Sequence, residues 1–155
     1  MDLCFNEEEG RLNIRTGAII LKDGKMLAAH SERPYWHTVG GRIQLGEDSR
    51  TCVEREVLEE TGIPFEADRL IFVAETFFTE EASGERFHEL CFYYLMKPNG
   101  REGEIGDSFR EGEATERLGW LDVSRLKEED LRPWFLEDEL KDIPEGVKHI
   151  IVKED

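Results

Sequence analysis

Residues 41–63 read GRIQLGEDSRTCVEREVLEETGI, and they carry more information than any other stretch of this chain. Asp48 or Ser49 can cap the N-terminus of a helix, because their short polar side chains accept hydrogen bonds from the free N–H groups of a first turn. The helix is expected to run to about Thr61. Gly62 then suits the left-handed position just past its end. The stretch therefore predicts one helix with capping residues at both ends.

Three glutamates lie on one face of this predicted helix. Glu56, Glu59 and Glu60 stand at positions i, i+3 and i+4. Like charges side by side destabilise a helix. Carboxylates are hard oxygen ligands, so a hard divalent cation such as Mg²⁺ is their natural neutraliser. Because Mg²⁺ held by carboxylates commonly supports chemistry on phosphates, this spacing favours a metal-dependent site.

Composition limits the classes of function. The chain has 155 residues, which predicts a single domain over residues 1–155. Its net charge of −16 argues against nucleic-acid binding, but not against a small phosphate substrate whose charge a metal can offset. The acidic N-terminus lacks a signal-peptide core, and no apolar run reaches membrane-spanning length. We therefore expect a cytoplasmic protein with a small-molecule substrate and no nucleic-acid or membrane partner; a homodimer is a possible assembly.

The remaining chain alternates between strand-like and helical stretches. An Asp-Gly pair within residues 22–25 predicts a hairpin turn. A helical stretch is expected to open at residues 123–126, and a second helix is expected within residues 131–140, starting after Pro133. Strands are predicted at residues 12–21, 26–29, 35–39, 70–78, 88–96, 118–121 and 147–152. This order predicts an α/β (α+β) fold in which helices pack on a mixed sheet.

Residues 98–115 are predicted to form a long, glycine-rich loop. Such loops are usually functional or mobile. This one carries four acidic residues: Glu102, Glu104, Glu111 and Glu113. We expect it to be mobile without ligand and to become ordered when cation and substrate neutralise the site.

The stretch at residues 41–63 resembles the Nudix box, the motif of the Nudix hydrolases. The chain has the expected residue at each spaced position: Gly41, Glu47, Arg55, Glu56, Val57, Glu59, Glu60, Gly62 and Ile63. Trp36 also stands where the family often has a tryptophan. Val39 departs from the pattern, because the family commonly has proline before the paired glycines.

The resemblance implies an α/β/α sandwich with a mixed β-sheet and a loop–helix–loop catalytic motif. It also implies hydrolysis of a nucleoside diphosphate linked to another moiety, with Mg²⁺ or Mn²⁺. Within the family, the glutamates matching Glu56, Glu59 and Glu60 bind metal together with the backbone carbonyl of the glycine matching Gly41. The arginine matching Arg55 orients these glutamates. The glutamate matching Glu47 supports the motif and often pairs with that arginine.

Substrate-binding residues are predicted from charge and aromaticity alone. Arg15, Arg33 and Arg42 flank the motif and could reach phosphates. Trp36 could stack on a base. Glu89 follows His88 in an apolar strand and is a candidate for lining the substrate cleft.

Three questions stay open at the level of sequence. The substrate could be a nucleoside triphosphate, a nucleotide sugar or a related compound. A nucleotide-binding sensor without turnover is the first alternative, although such proteins usually lose the glutamates that are intact here. An isomerase of isoprenoid diphosphates is the second; it would need a reactive cysteine and a glutamate in the pocket, and no matching motif surrounds Cys91.

Overall fold

Strands dominate the computed structural model, which describes residues 1–31, 33–105 and 117–154 and the backbone of residues 108–109. The helices are α1 (Ser49–Thr61) and α2 (Phe135–Glu139), and 3₁₀ turns occupy Glu102–Glu104 and Val123–Glu128. The strands are β1 (Cys4–Glu7), β2 (Gly10–Ile19), β3 (Leu21–Lys22), β4 (Lys25–His30), β5 (Trp36–Arg42), β6 (Ala67–Thr79), β7 (Arg86–Met96), β8 (Ser108–Phe109), β9 (Arg117–Asp122) and β10 (Lys148–Lys153).

The strands form one mixed sheet, as predicted. Their order is β10-β6-β7-β2-β5-β4-β9-β8, with β1 beside β2 and β3 beside β4. β2 runs parallel to β7, and β10 runs parallel to β6, while the other pairs are antiparallel. β2 therefore lies between β5, which leads into the 41–63 motif, and β7, which carries Glu89.

Helix α1 begins and ends where the capping residues predict. The Asp48 side chain accepts a hydrogen bond from the Thr51 N–H at 2.8 Å. Gly62 has φ of 76°, and its N–H donates to the carbonyl of Leu58. The helix therefore stops after the last motif glutamate, because a left-handed residue turns the chain away.

The two faces of the sheet are covered by different segments. Successive strand residues point to opposite faces, so Ile20 and Ile19 face different layers. Ile20 packs in a buried cluster with Val53 and Val57 of α1. Ile19 belongs to the cluster that contains Leu126 and other leucines of the C-terminal segment. The result is a sheet between a helical layer and a mostly 3₁₀ and irregular layer.

The structure refines the prediction near the C-terminus and adds a strand near the N-terminus. The helix expected within residues 131–140, starting after Pro133, spans Phe135–Glu139. Proline disfavours the helical conformation of the residue before it, so Arg132 stays outside the helix. Leu131 instead makes a β-bridge to Trp36. β1 was not predicted, because its mostly exposed residues show no apolar alternation.

Residues 98–115 are more structured than a plain loop where the structure describes them. Ile105 is buried, and its carbonyl accepts a hydrogen bond from the Trp120 indole N–H at 2.7 Å. Glu102 is also buried, and its carboxylate accepts from the Asn99 N–H. Glu111 and Glu113 lie outside the described residues, so the expected ordering of this segment by ligand stays a prediction.

No helix in the described ranges combines the length and the apolar character needed to cross a membrane.

Gly62→Ala is expected to lower the free energy of unfolding by about 1 kcal/mol, because a Cβ is unfavourable at a positive φ. Gly146→Ala is the matched control, since Gly146 has no positive φ and nothing within 4 Å of an added Cβ. Urea denaturation of both variants measures the difference. Equal stabilities would contradict the assigned role of Gly62 at the helix end.

Candidate active site

The guanidinium of Arg55 ties α1 to the loop before it. Nε donates to Glu47 Oε2 at 2.7 Å, and Nη2 donates to Glu47 Oε1 at 2.9 Å. This two-pronged contact uses the planar geometry of both groups. Nη2 also donates to the carbonyl of Arg42 at 3.2 Å. The predicted pairing of Glu47 with Arg55 across loop and helix is confirmed.

The third nitrogen of Arg55 faces the glutamate array. Nη1 donates to Glu56 Oε1 at 3.0 Å and to Glu59 Oε2 at 3.3 Å. One cation therefore offsets the repulsion between neighbouring carboxylates that the sequence leads one to expect. Arg55 thus links the loop, the strand end and two of the three motif glutamates.

The carboxyl groups bound to Arg55 differ in their electrostatics. The hydrogen bond from Arg55 lowers the pKa of Glu47 below its ordinary value, and the Gln44 N–H adds to this. The pKa of Glu56 is raised, because burial outweighs the attraction of Arg55 and Glu59 adds repulsion. Glu47 is therefore a fixed anion, whereas Glu56 is closer to accepting a proton at neutral pH.

Two glycines at the end of β5 let the carboxylates approach the backbone. The Gly40 N–H donates to Glu60 Oε2 at 3.1 Å. A Cβ added to Gly41 would lie 2.5 Å from the carboxyl carbon of Glu56 and 2.6 Å from both its oxygens. Any side chain at Gly41 would therefore collide with this carboxylate. Glu60 and Glu56 therefore contact two consecutive residues at the end of β5, Gly40 and Gly41 respectively.

The donor set at this strand end fits a hard cation in its chemistry. It consists of oxygens from Glu56, Glu59 and Glu60, while the Gly41 carbonyl accepts a hydrogen bond from the Thr16 hydroxyl at 3.4 Å. Across the described part of the chain, however, no three acidic, histidine or cysteine side chains are already gathered around one point. Glu56 and Glu59 point to Arg55 instead. Binding a cation would need these two carboxylates to turn from Nη1, while Glu47 still holds Arg55.

A cavity of about 370 Å³ opens beside this strand end. Four of the predicted substrate-binding residues line it: Arg15, Arg33, Arg42 and Glu89. Gly41 lines it too, so the cavity and the Glu56 carboxylate meet at one residue. In the described residues the lining holds four arginines, the fourth being Arg132, and two glutamates. The cavity is thus cationic within a protein of net charge −16.

Arg15 is held in the cavity by a carboxylate. Its Nη1 lies 3.7 Å from Glu89 Oε2. Burial works against the charge of Arg15, but nearby anionic groups, Glu89 first and Glu60 among them, outweigh it and raise its pKa. Arg15 therefore stays charged between the cavity and the motif glutamates.

The structure does not bring Trp36 to the cavity. Its ring packs edge-on against His30 at 5.1 Å, and Arg117 covers it at 5.2 Å from the ring centroid. Trp36 also packs against the buried cluster on the second face of the sheet. Trp36 thus has packing partners within the protein, and its stacking on a substrate base stays a prediction.

Sequence reasoning missed several polar residues of the cavity, among them Asn13, His37 and Thr76. Burial lowers the pKa of His37 to about 4, so the ring is neutral at pH 7. Asn13 lies on β2 next to an apolar stretch, where a lone polar residue carries no functional signal. Alternation with Arg15 on the same strand was the one available signal, because residues two apart share a face.

Glu47 and Arg55 are expected to be coupled by about 1–3 kcal/mol in a double-mutant cycle with Glu47→Gln and Arg55→Ala, the range for contacting charged hydrogen-bonded groups. Arg55→Ala alone should lower the free energy of unfolding. The exposed Arg101–Glu104 pair serves as control and should show much weaker coupling. Additive effects of Glu47→Gln and Arg55→Ala on the free energy of unfolding would contradict a stabilising contact between Glu47 and Arg55.

The same pair predicts a pH dependence of stability. Because the pKa of Glu47 is lowered in the folded state, its contribution is complete above the ordinary glutamate pKa. It is lost as the pH falls through the lowered value. The stability gap between the native protein and Glu47→Gln, measured by urea denaturation from pH 7 to pH 3, should therefore narrow in acid. If the stability gap did not change with pH, the lowered pKa of Glu47 would not contribute to the stability of the folded state.

Comparison with known proteins agrees with this geometry. A MutT-like protein of Streptomyces ambofaciens is 42% identical over 55 residues, which are 35% of this chain and 36% of that relative's own length. An oxidized purine nucleoside triphosphate hydrolase of Danio rerio is 27% identical over 115 residues, covering 72% of this chain and 67% of the relative. The crystal structure of a MutT mutator protein of Bacillus halodurans superposes with a TM-score of 0.63 at 19% identity, covering 92% of each chain.

The similarity extends over almost the whole fold. The family model described as the NUDIX domain matches residues 11–140, from the start of β2 to the end of α2. This range contains the motif, the cavity-lining strands β2, β5, β6 and β7, and both layers that cover the sheet. On this match, the chain belongs to the NUDIX family.

Proposed function

We propose that this protein is a metal-dependent pyrophosphohydrolase that cleaves a nucleoside diphosphate linked to another moiety. One observation carries the proposal: an arginine-lined cavity ends at Gly41, against which the carboxylate of Glu56 lies. The cavity offers cations for a phosphate chain, and the motif offers oxygens for a metal. These two requirements of phosphate chemistry meet at the end of β5.

Arg15 and Arg42 are positioned for the phosphates. They are register partners on β2 and β5, so they stand side by side at the strand ends. Both line the cavity, and both are next to Thr16 and Gly41, the following register pair. A phosphate bound here would lie beside the motif glutamates, since the guanidinium fork suits phosphate oxygens.

The motif glutamates would hold Mg²⁺ or Mn²⁺. Glu56, Glu59 and Glu60 supply the carboxylates, and Gly41 supplies a backbone carbonyl. The bound ion would neutralise charge that develops on the phosphate oxygens and make a water more acidic. Arg55 would keep the array in place throughout, because Glu47 and the Arg42 carbonyl hold its Nε and Nη2 independently of Glu56 and Glu59.

Glu56 is the candidate to order and deprotonate the attacking water. Burial raises its pKa toward the range in which a carboxylate can accept a proton near neutral pH. It is also the glutamate in closest contact with Gly41, where the cavity ends. A water between Glu56 and a phosphate bound by Arg15 would be placed for attack on phosphorus.

The two alternatives remain distinguishable. A sensor without turnover would keep the cavity but would not need the Arg55-centred glutamate array. An isomerase would need a reactive thiol, and Cys91 does line the cavity together with Glu89. Burial, however, raises the pKa of Cys91 to about 12, which leaves little thiolate at neutral pH. The geometry favours the hydrolase.

The identity of the leaving moiety stays open. The Danio rerio relative is described as acting on oxidized purine nucleoside triphosphates. A nucleoside triphosphate is accordingly one candidate, and nucleotide sugars and related diphosphates are the others. A panel of such compounds, incubated with Mg²⁺ or Mn²⁺ and separated by chromatography, tests the class. Turnover of none of them would overturn the hydrolase in favour of the sensor.

Glu60→Gln is expected to lower the rate on the best substrate of that panel by roughly 10²–10⁴, the scale of losing one catalytic electrostatic group. The fold should persist, because removing a charge from a glutamate cluster relieves repulsion on the helix. Glu66→Gln, an exposed site after the motif, is the matched control and should retain the native rate. Near-native turnover by Glu60→Gln would remove Glu60 from the site.

A further inference from the structure

Three strands place a row of polar side chains across the floor of the cavity. Asn13 of β2 is the register partner of Glu89 of β7, and Glu89 is the partner of Thr76 of β6. All three line the cavity. Asn13 and Thr76 are buried, and the Glu89 side chain is only 15% exposed. We call Asn13, Glu89 and Thr76 the polar row.

Asn13 leaves a hydrogen-bond acceptor without a partner. Its residue is 4% exposed, and within the described residues Oδ1 is buried with no hydrogen-bond donor. Buried polar atoms are normally paired, because an unpaired one loses its water without compensation. The terminal torsion of asparagine is soft, so a small rotation can present Oδ1 to a donor in the cavity that Asn13 lines. Glu89 offers a second acceptor beside it.

The polar row lies between a cationic row and an aromatic row. One step along the strands, two residues or roughly 7 Å away, Arg15 pairs with Arg42 at the motif. One step in the other direction, Phe87 of β7 stacks on Phe78 of β6 with ring centroids 4.8 Å apart. Both phenylalanines line the cavity. The cavity thus offers the Arg15–Arg42 pair, then hydrogen-bond acceptors, then the Phe78–Phe87 pair, in which Phe87 is buried and has the Arg33 guanidinium 5.6 Å from its ring centroid.

This sequence of surfaces matches the order of parts in a nucleotide. Phosphates suit the arginines, and a planar base suits the aromatic row. A ribose between them presents two neighbouring O–H donors, and a carboxylate is a proven acceptor for such hydroxyls in nucleotide-binding proteins. A group with acceptors alone would leave Asn13 Oδ1 unpaired.

We propose that the polar row binds the ribose of the substrate, with Asn13 Oδ1 and the Glu89 carboxylate accepting hydrogen bonds from its 2′- and 3′-hydroxyls. The protein therefore prefers ribonucleotides to deoxyribonucleotides. This inference rests on the proposed function for the placement of the phosphates. It adds the sugar specificity, which the motif does not determine.

Equilibrium binding tests the proposal without requiring turnover. The probes are the α,β-methylene diphosphates of adenosine, guanosine, uridine and cytidine with Mg²⁺, and the tightest is compared with its 2′-deoxy and 3′-deoxy counterparts. The native protein is expected to bind the ribo form more tightly than each deoxy form by about two- to twelvefold, since one lost hydrogen bond is worth about 0.5–1.5 kcal/mol. In Asn13→Leu, the preference over one of the two deoxy forms should disappear.

Two further variants protect the test. Asn13→Leu keeps the branching of the side chain, although leucine is larger, and removes a buried unpaired oxygen, so its thermal midpoint should not fall where leucine fits. Asn13→Ala gives the same binding result if leucine does not fit. Asn6→Leu on exposed β1, outside the cavity, should keep both preferences.

The outcomes separate this inference from the proposed function. The ribose assignment would be overturned if the native protein bound all three sugar forms equally or bound none of them. It would also be overturned if both sugar preferences survived in Asn13→Leu and in Asn13→Ala. A changed ranking of the four bases in Asn13→Leu, with both sugar preferences retained, would also overturn it. If the sugar preference behaves as expected while the substrate panel shows no turnover, the ribose site stands and only the hydrolase fails.

Discussion

The site depends on one cation, the Arg55 guanidinium. Its fork is bound by Glu47 and by the Arg42 carbonyl, while its remaining nitrogen holds Glu56 and Glu59. Without it, Glu56 and Glu59 would lose the cation that binds both of their carboxylates, and α1 would be less stable. Because Arg55 keeps Glu47 as a partner when Glu56 and Glu59 turn away, the array can exchange one cation for another without losing its anchor. A carboxylate–arginine pair that is mostly buried also fixes the helix relative to β5.

Glycine makes this arrangement sterically accessible. The Glu56 carboxylate occupies the volume that a Cβ of Gly41 would need, and the φ of 150° at Gly40 lets the chain pass against the Thr16 carbonyl. Because glycine lacks a Cβ, the backbone at position 41 and the Glu56 carboxylate approach more closely than they could with another residue at that position. Gly41 also lines the cavity, so this glycine borders both the motif and the proposed substrate site.

The charge of the protein is divided between its surface and its cavity. A net charge of −16 opposes the approach of an anionic nucleotide, although salt screens much of this field beyond about 10 Å. The arginines of the cavity act at contact distance, where burial makes each interaction stronger. In the proposed function, selectivity for a phosphorylated ligand would arise from the local placement of Arg15 and Arg42 rather than from overall charge. A bound divalent cation would add to the same local effect.

The sequence by itself determined the features that depend on neighbours in the chain. The helix ends at Asp48 and Gly62, the common face of the glutamates and the pairing of Glu47 with Arg55 all follow from spacing and from the motif. The cavity was decided by the tertiary structure. Asn13 lies on β2, far in sequence from the paired strands β6 and β7 that carry Thr76 and Glu89, and the shared row depends on how β2 pairs with β7. Trp36, predicted to stack on a base, packs with His30 and is not among the described residues that line the cavity, because the face that a strand residue occupies depends on the strands that pair beside it.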